Sequence, residues 1–282
     1  MLQSAIVIFL AALVGWLAQR TGLCMVRGVS ELLERRPSFL LAILCCGFWY
    51  WLIVPFTGRE WLPFLANRFD GTIHFILGGL LFGLGASLNK GCSISTISKL
   101  ASGHFYMFAT VVGWIIGWLL LPTLTPPVSY QPLENIDTPS LPALLVIAIG
   151  LLFTILKTSA TQRKLLFGVI FFGITASTLT LMEPQWSPSQ LLKDISYTIY
   201  HSESQNWPEL ERYLILLGLV VGMAFGAKSR LPIEAFEVRA KQIASHLFAG
   251  VVAIISIILG IAAGVVTRNV YKGRKNKKSR ST

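Results

Sequence analysis

Long apolar runs, several close to the roughly 20 residues a helix needs to cross the hydrocarbon of a bilayer, alternate along this chain with short polar stretches. Eight can be drawn: Leu2–Ala18, Phe39–Pro55, Gly71–Leu88, His104–Leu121, Leu141–Leu156, Leu165–Met182, Tyr213–Ala227 and Ser245–Val266. Within each run the apolar residues are continuous rather than alternating with polar ones, so helices are predicted and barrel strands are not. The expected fold is an all-α polytopic membrane protein. Several runs are short for a full crossing, which suits tilted or half-membrane elements. Two runs end in the same unusual way. Gln19-Arg20-Thr21-Gly22-Leu23-Cys24 follows the first, and Asn89-Lys90-Gly91-Cys92 follows the third, each a polar break with glycine and then a lone cysteine.

Composition agrees with this pattern. Mean hydropathy is +0.64 and 13% of residues are charged, about half the charge of a soluble domain. The net charge of +11 would suggest nucleic acid in a soluble protein. Here seven basic residues fall in the tail Arg268–Arg280 and most others flank apolar runs. They read as topology signals and lipid-headgroup contacts, and no nucleic-acid partner is expected.

Loop charge sets an expected orientation. Arg20, Arg27, Arg35 and Arg36 follow the first run, Lys90 and Lys99 the third, Lys157, Arg163 and Lys164 the fifth, and Lys228, Arg230, Arg239 and Lys241 the seventh. The loops 122–140 and 183–212 are acidic, so the basic connections are placed in the cytoplasm. Eight full crossings would leave the basic tail outside, so at least one element is expected to be re-entrant. A faint internal repeat, Gly79-Leu80-Leu81-Phe82 after His74 against Gly250-Val251-Val252-Ala253 after His246, suggests two degenerate halves. The predicted organisation is one transmembrane domain over 1–267, with halves near 1–125 and 141–267, and a disordered basic tail over 268–282.

The candidate chemistry lies at the two breaks. If each cysteine opens a short helix, the unpaired N–H groups and the dipole of that helix favour an anion. A thiol adds a weak, soft donor. The combination suits an anion with a soft sulphur end and hard oxygens. Cys24 and Cys92, with Gly22 and Gly91 at the turns and Ser93, Ser95 and Thr96 following, are therefore the expected path residues. Read blandly, each cysteine is a small buried hydrophobe, the hydroxyls satisfy local backbone, and Arg20, Arg27 and Lys90 are cytoplasmic anchors. Cys45-Cys46 reads as packing. His74, His104, His201 and His246 are placed near interfaces or in loops. The glycines of Gly78–Gly85 are expected to allow close helix packing. No metal-ligand spacing, hydrolase or nucleotide-binding pattern is present, so no cofactor and no enzyme is expected.

The glycine-rich run with Gly83-Leu84-Gly85-Ala86 and Gly91-Cys92-Ser93, together with Gln19-Arg20-Thr21-Gly22-Leu23-Cys24, resembles the YeeE/YedE family of bacterial inner-membrane sulphur transporters. The resemblance implies a pseudo-symmetric bundle with re-entrant helix–loop elements meeting at the membrane centre. It also implies uptake of thiosulfate along cysteine thiols by transient S–H···S contacts. Members with this pattern carry a second-half Gly-Cys that is replaced here by Ala262-Ala263. The expected partners are a small thiosulfate-like anion and the lipid bilayer, with a cytosolic sulphur-carrier as a further candidate. Two other classes stay open: a membrane sulfurtransferase passing a persulfide, and a degenerate, non-transporting partner protein.

Overall fold

The computed structural model describes residues 2–57, 73–124, 141–184, 186–201, 207–227 and 243–252. Among these residues every regular element is helical and there is no strand. In chain order the helices are α1 (Leu2–Thr21), α2 (Met25–Leu33), α3 (Ser38–Leu44), α4 (Phe48–Thr57), α5 (Ile73–Leu88), α6 (Ser93–Ala101), α7 (Phe108–Leu124), α8 (Leu141–Leu156), α9 (Ala160–Met182), α10 (Pro188–His201) and α11 (Leu210–Gly226). A further helix, α12, covers Ile243–Val252. Short 3-10 turns join α3 to α4 at Cys45–Gly47 and lead into α7 at Phe105–Met107.

Where they are described, the apolar runs fall mainly on helix, because an uninterrupted apolar backbone must satisfy its own hydrogen bonds, although the second run is broken by the 3-10 turn at Cys45–Gly47. Eight full crossings do not follow. Two continuous helical stretches are long and apolar enough to span, Leu2–Leu33 and Ala160–Met182, and the first contains the break at Gly22–Cys24. The other apolar helices are shorter, among them Phe105–Leu120, Pro142–Phe153 and Ile243–Val252. Of the eighth run only 243–252 is described; Ala262-Ala263 and the basic tail lie outside the described residues.

The core forms around α1, which packs against both α11 and α9. Val7, Ala11 and Val14 of α1 are buried with Ile215 and Met223 of α11 and Val169 of α9. The α1–α11 crossing is very close. A Cβ at Gly15 would strike the Leu219 carbonyl, one at Gly222 the Ala12 carbonyl, and one at Gly218 would stand 3.0 Å from the Ile8 oxygen. Without water to drive helices together, such close backbone approach supplies much of the association energy in a membrane. The glycines of α5 behave differently. A Cβ at Gly79 or Gly83 would meet nothing among the described residues, in contrast to the glycines of α11. The outward faces of α5 and α8, with Leu80, Phe82, Leu84, Val146, Ile147 and Phe153 exposed, form an apolar exterior.

Candidate functional site

Both breaks are built by one backbone device. α1 ends at Thr21, followed by Gly22 in the left-handed region at φ 62°. The Gly22 N–H reaches the Gln19 carbonyl at 3.3 Å and the Leu23 N–H reaches Ala18 at 3.0 Å. α5 ends likewise, with Lys90 left-handed at φ 52°, Lys90 N–H on Ser87 at 3.0 Å and Gly91 N–H on Ala86 at 3.0 Å. These are paired Schellman closures, which satisfy the last carbonyls of a helix as the chain reverses its twist. In each, the residue two beyond the left-handed position is the cysteine. The equivalent of Gly22 is thus Lys90 and not Gly91. Gly91 is small for another reason: a Cβ there would collide with the Ser95 hydroxyl.

Each cysteine then opens a new helix. Cys24 is extended (φ −156°, ψ 123°) and is the N-cap of α2; its carbonyl receives the Gly28 N–H at 3.0 Å. Cys92 is extended (φ −81°, ψ 178°) and is the N-cap of α6; its carbonyl receives the Thr96 N–H at 2.9 Å. An N-cap side chain normally accepts an N–H from the first turn. Here sulphur takes that place loosely. The Cys24 sulphur faces the Arg27 N–H and the Cys92 sulphur faces the Ser95 N–H, yet neither closes a capping hydrogen bond.

The two breaks meet. The Cys24 and Cys92 side chains are near neighbours, close enough for each thiol to act on the other. The Cys92 sulphur also faces the Met25 N–H of α2, and the Cys24 sulphur faces the Cys92 N–H and the Ser95 side chain. Both cysteines are free and half-buried. Two helix N-termini, each with its dipole and unpaired N–H groups, thus converge on one pair of thiols. By contrast, Cys45 and Cys46 sit on the turn between α3 and α4, where Cys46 points at the Ala42 and Val169 carbonyls at 3.5 and 3.8 Å.

Cavities adjoin the pair. One of about 190 Å³ is lined by Gly91, Cys92, Ser93, Thr110, Trp114 and Trp118. A second of about 210 Å³ shares Ser93 and Trp114 and continues to Trp186–Ser189 at the start of α10. The Trp118 indole N–H is buried without a partner among the described residues. A wider recess of about 700 Å³ is lined by Arg20, Thr21, Arg27, Glu31, Arg36 and Lys164, residues that flank the first break without including Cys24 itself. Arg27 stands at its edge: Nη1 donates to the Thr21 carbonyl at 3.1 Å, Nε pairs with Glu31 at 2.8 Å, and the guanidinium covers the Phe39 ring at 4.5 Å. Arg27 is therefore more than an anchor at the interface.

The remaining expected residues divide. Ser93 is exposed to the two smaller cavities. Ser95 lies beside Cys24 and donates to the Cys92 carbonyl at 3.0 Å. Thr96 is fully buried and donates to the same carbonyl at 3.0 Å, so it faces structure rather than a cavity. Gln19 bridges to α6, pairing with the Ser98 hydroxyl and donating to Ser102 at 2.9 Å. Two residues were missed. Asn89 is buried at the break, and His246 lies buried beside it on α12 rather than at an interface or in a loop. The signal for Asn89 was available: an amide at the end of an apolar helix must find partners.

Compared with known proteins, residues 20–280 match the model of a family described as Sulphur transport, also called YeeE/YedE. No curated protein matches the chain.

Proposed function

Since the chain belongs to the YeeE/YedE sulphur transport family, we propose that it carries thiosulfate, or a closely related small sulphur anion, across a bacterial inner membrane as a multi-pass permease. The observation that carries this reading is the meeting of the Cys24 and Cys92 thiols at two helix N-termini whose capping bonds are left open. Thiosulfate has a soft terminal sulphur and three hard oxygens. The thiols offer weak S–H donors to the first, and the first-turn N–H groups offer strong donors to the others. No covalent step is needed. Weak, repeated contacts also meet the requirement that a permeating ion leave as readily as it binds.

The path runs from the cavities lined by Ser93, Trp114 and Trp118, between the two thiols, to the basic recess beside Arg27. The unpartnered Trp118 N–H is a donor for an anion waiting on the near side. Four basic side chains against Glu31 draw the anion onward on the far side. By the loop-charge rule that recess faces the cytoplasm. Gly22, Gly91 and Ser95 keep the passage narrow and shaped, and a cytosolic sulphur-carrier would receive the anion.

Growth of a bacterium that lacks its own thiosulfate uptake and is given thiosulfate as sole sulphur source tests the reading. The native chain should restore growth, and Cys24→Ala or Cys92→Ala should abolish it. Growth unchanged in both variants would sink the cysteine path. The side-by-side thiols also favour one second reading, a persulfide relay. There a thiolate takes the outer sulphur of thiosulfate and sulfite leaves, so sulfite release and a persulfide on Cys92 would favour it over transport.

A further inference from the structure

The polar cluster at Asn89 borders the cavity on the Cys92 side, and it ties the second half of the chain to the first. The Asn89 side-chain nitrogen donates to the Gly91 carbonyl at 3.1 Å and to the Thr96 hydroxyl at 2.7 Å. Its oxygen accepts from the Thr110 hydroxyl at 2.7 Å and stands 2.9 Å from His246 Nδ1. The orientation of the amide is determined, because the Gly91 carbonyl can only accept and must face nitrogen. It follows that His246 carries its proton on Nδ1 and donates. Every donor and lone pair of the amide is then used. Thr96 passes the restraint on, donating to the Cys92 carbonyl at 3.0 Å.

His246 is delivered by a tight crossing. A Cβ at Gly113 of α7 would strike the Leu247 carbonyl, and one at Gly250 of α12 would strike the Thr110 carbonyl and come within 3.0 Å of Gly113. The Tyr106 ring lies against the imidazole, with centroids 5.0 Å apart. α5, α6, α7 and α12 thus all converge on one amide, two residues before Gly91 and three before Cys92.

We propose that Asn89 is the positioning residue of the Cys92 break, and that His246 is the second half's contribution to the site. In this scheme α12 supplies no thiol to the described site. It supplies a hydrogen bond that holds the Lys90-Gly91 turn, and through it holds the Cys92 sulphur opposite Cys24. The inference rests on the reading of Cys92 as a path residue only for its effect on transport; its effect on thiol geometry stands apart from that reading.

The test uses the full-length protein in membrane vesicles and a small uncharged maleimide. Alkylation of Cys92 is followed by mass spectrometry, with Cys24 in the same molecule as reference and Cys46 as a check on folding. Thiosulfate uptake is measured in the same variants. His246→Leu leaves the Asn89 oxygen short of a donor and should raise Cys92 alkylation relative to Cys24 about tenfold, with a similar fall in uptake. His246→Asn returns a donor near the Nδ1 position and should bring both within about threefold of native. A purely steric role for the histidine predicts no such recovery. An unchanged Cys92-to-Cys24 ratio in His246→Leu overturns the inference, as does failure of His246→Asn to restore a disturbed ratio while Cys46 stays protected. If Asn89→Ala fails to fold, Thr110→Val removes another bond to the same oxygen and should shift the ratio in the same direction. Native protein that takes up no thiosulfate would defeat the transport reading alone, since the alkylation ratios still decide the role of His246.

Discussion

A thiol is a weak donor and a soft acceptor, and at Cys24 and Cys92 both properties matter because sulphur stands where a helix expects a capping oxygen. A serine at either position would close the cap with a shorter, stronger bond. Cys92→Ser should therefore stabilise α6 slightly while reducing uptake, and melting in detergent measured beside uptake separates the two effects. Gly91→Ala should cost about 1 kcal/mol, since its methyl would turn the Ser95 hydroxyl away from the Cys92 carbonyl. Lys90 offers a contrast. It holds a left-handed conformation that costs an ordinary residue roughly 1–2 kcal/mol, and its carbonyl is held by Lys99 Nζ at 2.7 Å. Lys90→Gly should raise the melting temperature modestly and leave uptake near native. A lower melting temperature would show that the Lys90 side chain matters more than its backbone. Trp118→Phe keeps the ring and removes the unpartnered N–H, so apparent affinity for thiosulfate should fall several-fold, about 1 kcal/mol, with little change in stability.

At the scale of elements, the two breaks show how far sequence reasoning reaches. The helical character of the apolar runs is legible because hydropathy and backbone satisfaction are the properties a bilayer selects, whereas their ends are not, as the turn at Cys45–Gly47 and the start of α9 at Ala160 show. The breaks were legible because glycine, polar residues and a cysteine interrupt those runs at the same relative place. Their meeting was not, because nothing in one sequence says that residue 24 faces residue 92. The equivalence of Gly22 with Lys90 was hidden too, since a left-handed lysine carries no sequence mark. Helix packing is only partly legible from spacing. Gly79 and Gly83 have no close neighbour among the described residues, while Gly218, Gly222 and Gly226 recur every fourth residue and form the crossing with α1. Paired substitutions separate these sites. Gly222→Val should destabilise the fold by several kcal/mol, because its side chain would enter the α1 backbone. Gly83→Ala should be neutral or stabilising by up to about 1 kcal/mol, since alanine is the better helix former. Thermal unfolding of both variants in detergent gives the comparison.

For the whole molecule, the charge pattern and the cavities give one direction to the path. Small, largely uncharged cavities lie on the Cys92 side, and a basic recess lies among Arg20, Arg27, Arg36 and Lys164. An interior that is electrically negative opposes the inward movement of a dianion by about 2.3 kcal/mol per charge per 100 mV. On the proposed orientation, the cations of the recess would offset part of that cost where the anion emerges. Lys164→Glu combined with Arg36→Glu should slow uptake several-fold at low salt and much less at high salt, because screening removes the field these residues supply. Loss independent of ionic strength would point to a structural role for the pair. The asymmetry of the chain also takes on a physical form. Both thiols of the described site come from the first half, and the second half enters through α11 against α1 and through His246 at Asn89.

The central claim, that the anion crosses between two facing thiols, is tested most directly by uptake of radiolabelled thiosulfate into proteoliposomes. The native protein is compared with Cys24→Ala, Cys92→Ala and Cys46→Ala, each reconstituted at equal density and checked for folding. Uptake should fall at least about tenfold in either path variant, the equivalent of about 1.4 kcal/mol in the barrier, and remain near native in Cys46→Ala. Native rates in both Cys24→Ala and Cys92→Ala would contradict the account.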